Sequence, residues 1–121
     1  FGTYKGNLPD IYRVLDLYGL LDTVVLHPGK IEETWSEARK SIARVSLALC
    51  DVDLHIPTAA ALAGLHERMS PGGFIVFDEF GTVDWPGETV AAEEFIATHP
   101  GCYEQFALTA VRQPTLVLRR R

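Results

Sequence analysis

The chain is poor in cysteine, poor in basic charge and free of long apolar runs. Cys50 and Cys102 are its only cysteines, too few for the framework of a disulfide-stapled domain. Cys50 ends an apolar run and reads as a core thiol, whereas Cys102 follows Pro100-Gly101 in a loop. A bridge between them is not implied, and a reducing, cytoplasmic setting is the expectation. No stretch approaches the length of a membrane span, and no secretory leader pattern is present, so no membrane partner is expected. Eleven Lys and Arg stand against 16 Asp and Glu, a net charge of −5. That balance argues against a nucleic-acid partner, whose binding surface is normally basic. The one basic run, Arg119-Arg120-Arg121, closes the chain as a solvated end.

Several motifs are missing as well. There is no G-x-G-x-x-G, no Walker lysine, no G-x-S-x-G elbow and no Ser/His/Asp set. Gly72-Gly73 precede an apolar run instead of following one, so they mark a turn and not a phosphate loop. His and Cys do not have the spacing of a zinc site. No internal repeat or low-complexity tract interrupts the chain. Its first residue is Phe, not Met, so the expectation is that something upstream was removed or never included, or that the gene is partial.

What remains is a soluble-type composition, 47% hydrophobic and 22% charged over 121 residues, which suits a single domain over residues 1–121. Phe1 to Asn7 reads as a lead-in loop. Leu8, Ile11, Val14, Leu15 and Tyr18 recur at helical spacing, with Asn7 as cap, Pro9 in the first turn and Gly19 as stop. Thr23–Leu26 reads as a short strand broken by His27-Pro28-Gly29. Glu32 to Lys40 is a charged helix with Trp35 as its inward anchor. Val45–Cys50 is a strand, Pro57–Met69 an Ala- and Leu-rich helix, Ser70–Gly73 a turn and Phe74–Phe77 another strand. A loop over 81–87 leads to a helix over 88–98. Strands at 106–111 and 115–118, joined through Arg112-Gln113-Pro114, form an antiparallel hairpin at the sheet edge. The order αβαβαβαββ predicts an α/β fold with a doubly wound, mostly parallel sheet.

Four carboxylates carry the chemistry. Asp51 ends the run Val45-Ser-Leu-Ala-Leu-Cys50, with Asp53 two residues on; Asp78-Glu79 end the run Phe74-Ile-Val-Phe77. In open α/β sheets ligands bind beyond the carboxyl ends of the strands. If the two strands are neighbours, these carboxylates converge, and like charges that close call for a cation. Oxygen donors suit Mg²⁺, Mn²⁺ or Ca²⁺. The alternatives are that Asp53 caps the next helix, or that each acidic pair simply sits in water. His55 either relays a proton or polarises a hydroxyl, or is a polar side chain at the crevice rim. His27 either faces the same crevice or serves its turn. His66 and His99 are read as structural, His99 beside a helix C-terminus that suits a cation.

The residues Asp51-Val-Asp53-Leu54, the helix through Met69, Ser70-Pro71-Gly72-Gly73-Phe74-Ile75-Val76-Phe77-Asp78-Glu79-Phe80-Gly81, Pro86-Gly87 and Ala91-Ala92-Glu93-Glu94-Phe95 resemble the macrocin O-methyltransferase family. So does Leu26 to Thr34; the likeness spans about residues 8–98. The resemblance implies a Rossmann-like sheet and transfer of methyl from S-adenosylmethionine to a sugar hydroxyl. It implies Asp51, Asp78 and Glu79 as divalent-metal ligands, usually for Mg²⁺, Asp53 as general base, and Gly29 beside the adenine. Glu79 stands for the usual second Asp, His55 and Phe80 each replace a Tyr, and Thr89 replaces a basic residue, all of which bear on the substrate pocket.

The family's glycine-rich loop and ribose-holding acid would lie upstream of Phe1, so the chain resembles the C-terminal half of such a domain. Two strands of the family's sheet would lie between those that residues 23–26 and 45–50 resemble. A sheet does not keep such a gap, because unpaired buried backbone is costly. A homodimer or higher assembly is therefore expected. Two functions follow as expectations: a truncated metal-dependent sugar O-methyltransferase taking a small hydroxyl substrate, or a non-catalytic assembly module derived from one.

Overall fold

A computed structural model describes residues 6–108, 110, 112–113 and 115–121. Phe1 to Lys5 of the expected lead-in, residues 109 and 111 of the expected first hairpin strand and Pro114 of its turn lie outside these. The elements in chain order are α1 (Leu8–Leu17), α2 (Ile31–Ser41), β1 (Val45–Cys50), α3 (His55–Arg68), β2 (Met69–Phe77), α4 (Pro86–Thr98), β3 (Tyr103–Ala107) and β4 (Leu116–Arg120).

The four strands form one sheet in the order β1-β2-β4-β3. β1 and β2 run parallel, joined by the α3 crossover, and Cys50 pairs with Phe77 at their carboxyl ends. β4 lies antiparallel to both β2 and β3. The fold is α/β, as expected, but the sheet is mixed instead of mostly parallel: one pair is parallel and two are antiparallel. The hairpin causes this, because β4 takes the place beside β2 and leaves β3 at the edge.

Two further expectations are corrected. Thr23–Leu26 is not a strand. The N–H groups of Thr23 and Val24 both turn back to the Leu20 carbonyl at 3.0 Å, and without a neighbouring strand an extended segment leaves those groups unpaired. Ser70 to Gly73 is not a turn between elements but a bulged part of β2. Val45 pairs with Met69 and Leu47 with Phe74, so the extra β2 residues loop out of the ladder, and Gly72 supplies the positive φ of 77° that this needs.

The core lies between one sheet face and helices α3 and α4. Leu62, Ile75, Phe77 and Leu118 are fully buried there, with Cys50, Leu65, Met69, Ala92, Phe95, Tyr103 and Leu116 around them. Trp35 of α2 packs against this cluster as its sequence position suggests. It packs directly against Gly64 of α3, where an added Cβ would fall 2.1 Å from the indole. The other sheet face is open, with Leu47 and Leu49 each 66% exposed. Helix α1 forms, yet none of its residues is buried. Cys50 and Cys102 are free. Among the described residues no helix is long and apolar enough to cross a membrane.

Candidate functional site

The parallel pair β1/β2 places its two acidic ends side by side. The ladder continues one step past the strands, since the Asp78 N–H donates to the Cys50 carbonyl at 3.1 Å. Asp51 and Asp78 thus leave adjacent strands at the same level. Burial first, then the charges of Asp51 and Asp53, hold the Asp78 carboxyl above the usual carboxylate range. Glu79 is raised in the same way, by burial and then by Asp53, Asp78 and Asp51, against a lowering hydrogen bond from Gln113. Asp78 and Glu79 therefore both feel the charges of Asp51 and Asp53 across the strand ends.

Asp53 sits in a strained turn. Its φ of 58° is the one positive value among the described non-glycine residues, and the Leu54 N–H donates across it to the Val52 carbonyl. Such an i→i+2 turn costs free energy and tends to persist where function requires it.

The first turn of α4 is the support on which both acidic ends rest, and it is the part that the sequence did not reveal. Gly87 is pressed against the Asp53 turn; a Cβ there would lie 2.6 Å from the His55 nitrogen and 2.9 Å from the Asp53 oxygen. Glu88 is fully buried, and its Oε1 accepts the Glu79 N–H at 3.0 Å. Thr89 Oγ1 accepts the Gly81 N–H at 2.8 Å. Burial raises the Glu88 carboxyl, the backbones of Glu79 and Val52 oppose the rise, and Asp53 and Asp78 add to it. The Val52 group stops short of a hydrogen bond, for Glu88 Oε2 has no partner among the described residues. In sequence Glu88 is indistinguishable from any acid placed in a helix's first turn to meet its dipole.

The remaining predicted residues are placed as follows. Glu79 Oε1 accepts from Gln113 Nε2 at 3.0 Å, while its buried Oε2 is without a partner among the described residues. His55, the first residue of α3, bonds through Nε2 to Glu94 of α4 at 2.8 Å, at the exposed rim. Gly29, with φ of 137°, lies in the loop entering α2; its described contact is with Thr34. His66 is bonded to the Tyr103 hydroxyl at 3.1 Å and stacks on His99 at 4.0 Å, at the opposite end of the sheet.

The donor set fits a hard divalent cation in kind: every carboxylate is an oxygen donor, and the partnerless Glu79 Oε2 is a group that a cation would satisfy. The set is not drawn tight, since among the described residues no three His, Cys, Asp or Glu stand close enough to hold an ion. Two hollows of about 270 Å³ lie away from the carboxylate cluster, one along α1 and one between α3 and α4.

A mixed α/β sheet of this kind is found in solved methyltransferases. CalS11, a TDP-rhamnose 3'-O-methyltransferase of calicheamicin biosynthesis, superposes with a TM-score of 0.75 at 25% identity, over 98% of this chain and 54% of its own. The O-methyltransferase NovP superposes with a TM-score of 0.80 at 25% identity, over 94% of this chain and 45% of its own. The family pattern described as macrocin-O-methyltransferase (TylF) matches residues 7–100, and the chain belongs to that sugar O-methyltransferase family. An 8-demethyl-8-(2,3-dimethoxy-alpha-L-rhamnosyl)-tetracenomycin-C 4'-O-methyltransferase of Streptomyces olivaceus is 39% identical over 80 residues, covering 65% of this chain and 30% of the relative. The chain thus spans about a third of that relative's length and about half of the two solved structures.

Proposed function

We propose that this chain forms the acceptor-sugar side of an S-adenosylmethionine- and divalent-cation-dependent O-methyltransferase acting on a hydroxyl of a deoxysugar. The observation that supports the reading is that Asp51-Val52-Asp53 and Asp78-Glu79 leave the paired ends of β1 and β2 side by side, in a chain that belongs to a sugar O-methyltransferase family.

Asp51, Asp78 and Glu79 are the residues that would hold Mg²⁺ or Mn²⁺. A cation bound there would polarise sugar hydroxyls and make one of them more acidic. Asp53 would serve as the general base that takes up the proton of the sugar hydroxyl, and S-adenosylmethionine, when bound, would supply the methyl group. The strained turn fixes the Asp53 backbone just beyond the end of β1, and His55, at the rim and bonded to Glu94, would contact the sugar. Gly29 belongs to the cofactor side by family resemblance. The test is transfer of labelled methyl to TDP-rhamnose, with Mg²⁺ and with chelator. The reading expects cation-dependent transfer that Asp53→Asn abolishes. Transfer indifferent to chelator, or absence of both transfer and any thermal shift with Mn²⁺, contradicts it.

Self-association belongs to the same proposal. β1 has no strand on its outer edge among the described residues, and Leu47 and Leu49 are exposed beside it. Such an edge invites pairing with a second copy. Light scattering on the purified chain should give at least the dimer mass; a monomer at all concentrations rules this part out.

A further inference from the structure

Glu88 is a carboxyl group with no exposed surface, and among the described residues only one of its oxygens is bonded. Buried acids are rare because removing a carboxyl from water is costly, and an unpartnered buried oxygen calls for an explanation. Core packing alone does not supply one, since an apolar side chain would fill the same volume without that cost. The explanation lies in what the bonded oxygen does.

The peptide between Asp78 and Glu79 is held from both sides. Its N–H donates to Glu88 Oε1 at 3.0 Å, and its carbonyl accepts from the Thr115 hydroxyl at 3.4 Å. Side chains on either side of a fixed peptide have fixed origins, so the grip on this amide sets where the Asp78 and Glu79 carboxylates start. Glu88 also faces the Val52 backbone, midway between Asp51 and Asp53. The preceding residue, Gly87, touches the Asp53 turn directly. One helical turn therefore contacts both acidic ends.

We propose that Glu88 is a positioning residue of the acidic crevice, its buried carboxyl fixing the Asp78-Glu79 peptide against the Asp51–Asp53 turn and so setting the points from which the crevice carboxylates would reach a divalent cation. This rests on the cation reading of the crevice. Glu88 itself touches neither cation nor sugar. It acts through the amide of Glu79, as outer partners of metal ligands do.

The test is Mn²⁺ titration of the 121-residue chain followed by electron paramagnetic resonance, with the Glu79 amide followed by hydrogen exchange. Wild type, Glu88→Gln, Glu88→Ala, Asp51→Asn and a core control, Leu62→Ala, are compared. Glu88→Gln keeps an acceptor oxygen and should stay within about threefold of wild type, while Glu88→Ala should lose roughly 10- to 100-fold in Mn²⁺ affinity, the range for outer partners. Leu62→Ala loses stability without losing the amide grip, so its affinity should hold. The Glu79 amide should exchange slowly in wild type and Glu88→Gln and fast in Glu88→Ala.

Equal losses in Glu88→Gln and Glu88→Ala, or an unchanged Glu88→Ala when Asp51→Asn abolishes binding, overturn the positioning role. If wild type binds no better than Asp51→Asn, the cation reading fails instead, and the Glu79 exchange rates still decide whether Glu88 holds the peptide.

Discussion

The Glu79 N–H donates to the buried Glu88 Oε1 at 3.0 Å, tying the start of α4 to the end of β2. The two stand nine positions apart in sequence, and there nothing marks Glu88 as a partner of Glu79. Their bond gives the acidic crevice a fixed back wall, and several measurable consequences stem from it.

The first concerns pH. Burial raises the Glu88 carboxyl above its ordinary 4.5. The folded chain then binds more protons than the unfolded one in the window just above that value. Its contribution to stability is greatest below 4.5 and is lost as pH rises through the folded value. Glu88→Gln cannot titrate, so the melting temperature of wild type minus that of Glu88→Gln should be more positive at pH 5 than at pH 8. His66, lowered by burial, His99 and Arg120, works the other way below 6.5, but it is common to both proteins and cancels. A difference that is flat with pH contradicts the assignment.

Gly87→Ala should be costly. Its methyl group would meet backbone atoms of Asp53 and His55 under 3.0 Å, and backbone does not swing aside. Pushing α4 off the turn should cost about 1–3 kcal/mol, as overpacking usually does. Urea denaturation measures it, and a change under a few tenths would show that the contact is loose.

Asp53 should trade stability for chemistry. Its left-handed backbone costs about 1–2 kcal/mol for a residue with a Cβ. Asp53→Gly should therefore equal or exceed wild type in urea midpoint while losing methyl transfer, whereas Asp53→Val should lose stability as well. Equal midpoints for the two variants would mean that the turn is unstrained.

Cys50 should be inert. Burial, then the Glu88 charge, pushes its thiol up to about 12, so almost no thiolate forms near pH 8. Ellman's reagent should modify the half-buried Cys102 in the folded chain and reach Cys50 only in denaturant. Rapid modification of both thiols would place Cys50 nearer the surface than its 3% exposure.

Much of this site was legible in the sequence, for a physical reason. Val45–Cys50 is a mainly apolar run, broken only by Ser46 and followed by a charge, and the strand has those same bounds. The acidic ends follow from strand adjacency, which the α3 crossover enforces. Thr23–Leu26 misled because an apolar run forms a strand only when a neighbour accepts its hydrogen bonds. Ser70–Gly73 misled because turn residues also make bulges. Glu88 could not be found at all: a first-turn acid is ordinarily solvated, and its burial depends on where β2 and the Asp53 turn arrive in space. The Gln113 bond to Glu79 was hidden likewise, since it spans 34 positions.

The account depends most on Asp51 and Asp78 opening onto one ion. Crystals of the chain grown with Mn²⁺ and measured at the manganese edge test this directly. An anomalous peak bridging the Asp51 and Asp78 carboxylates, at the roughly 2.0–2.6 Å of hard-cation oxygen ligands, is the predicted result. A map in which manganese is bound elsewhere, with those two carboxylates turned away from each other, would contradict it.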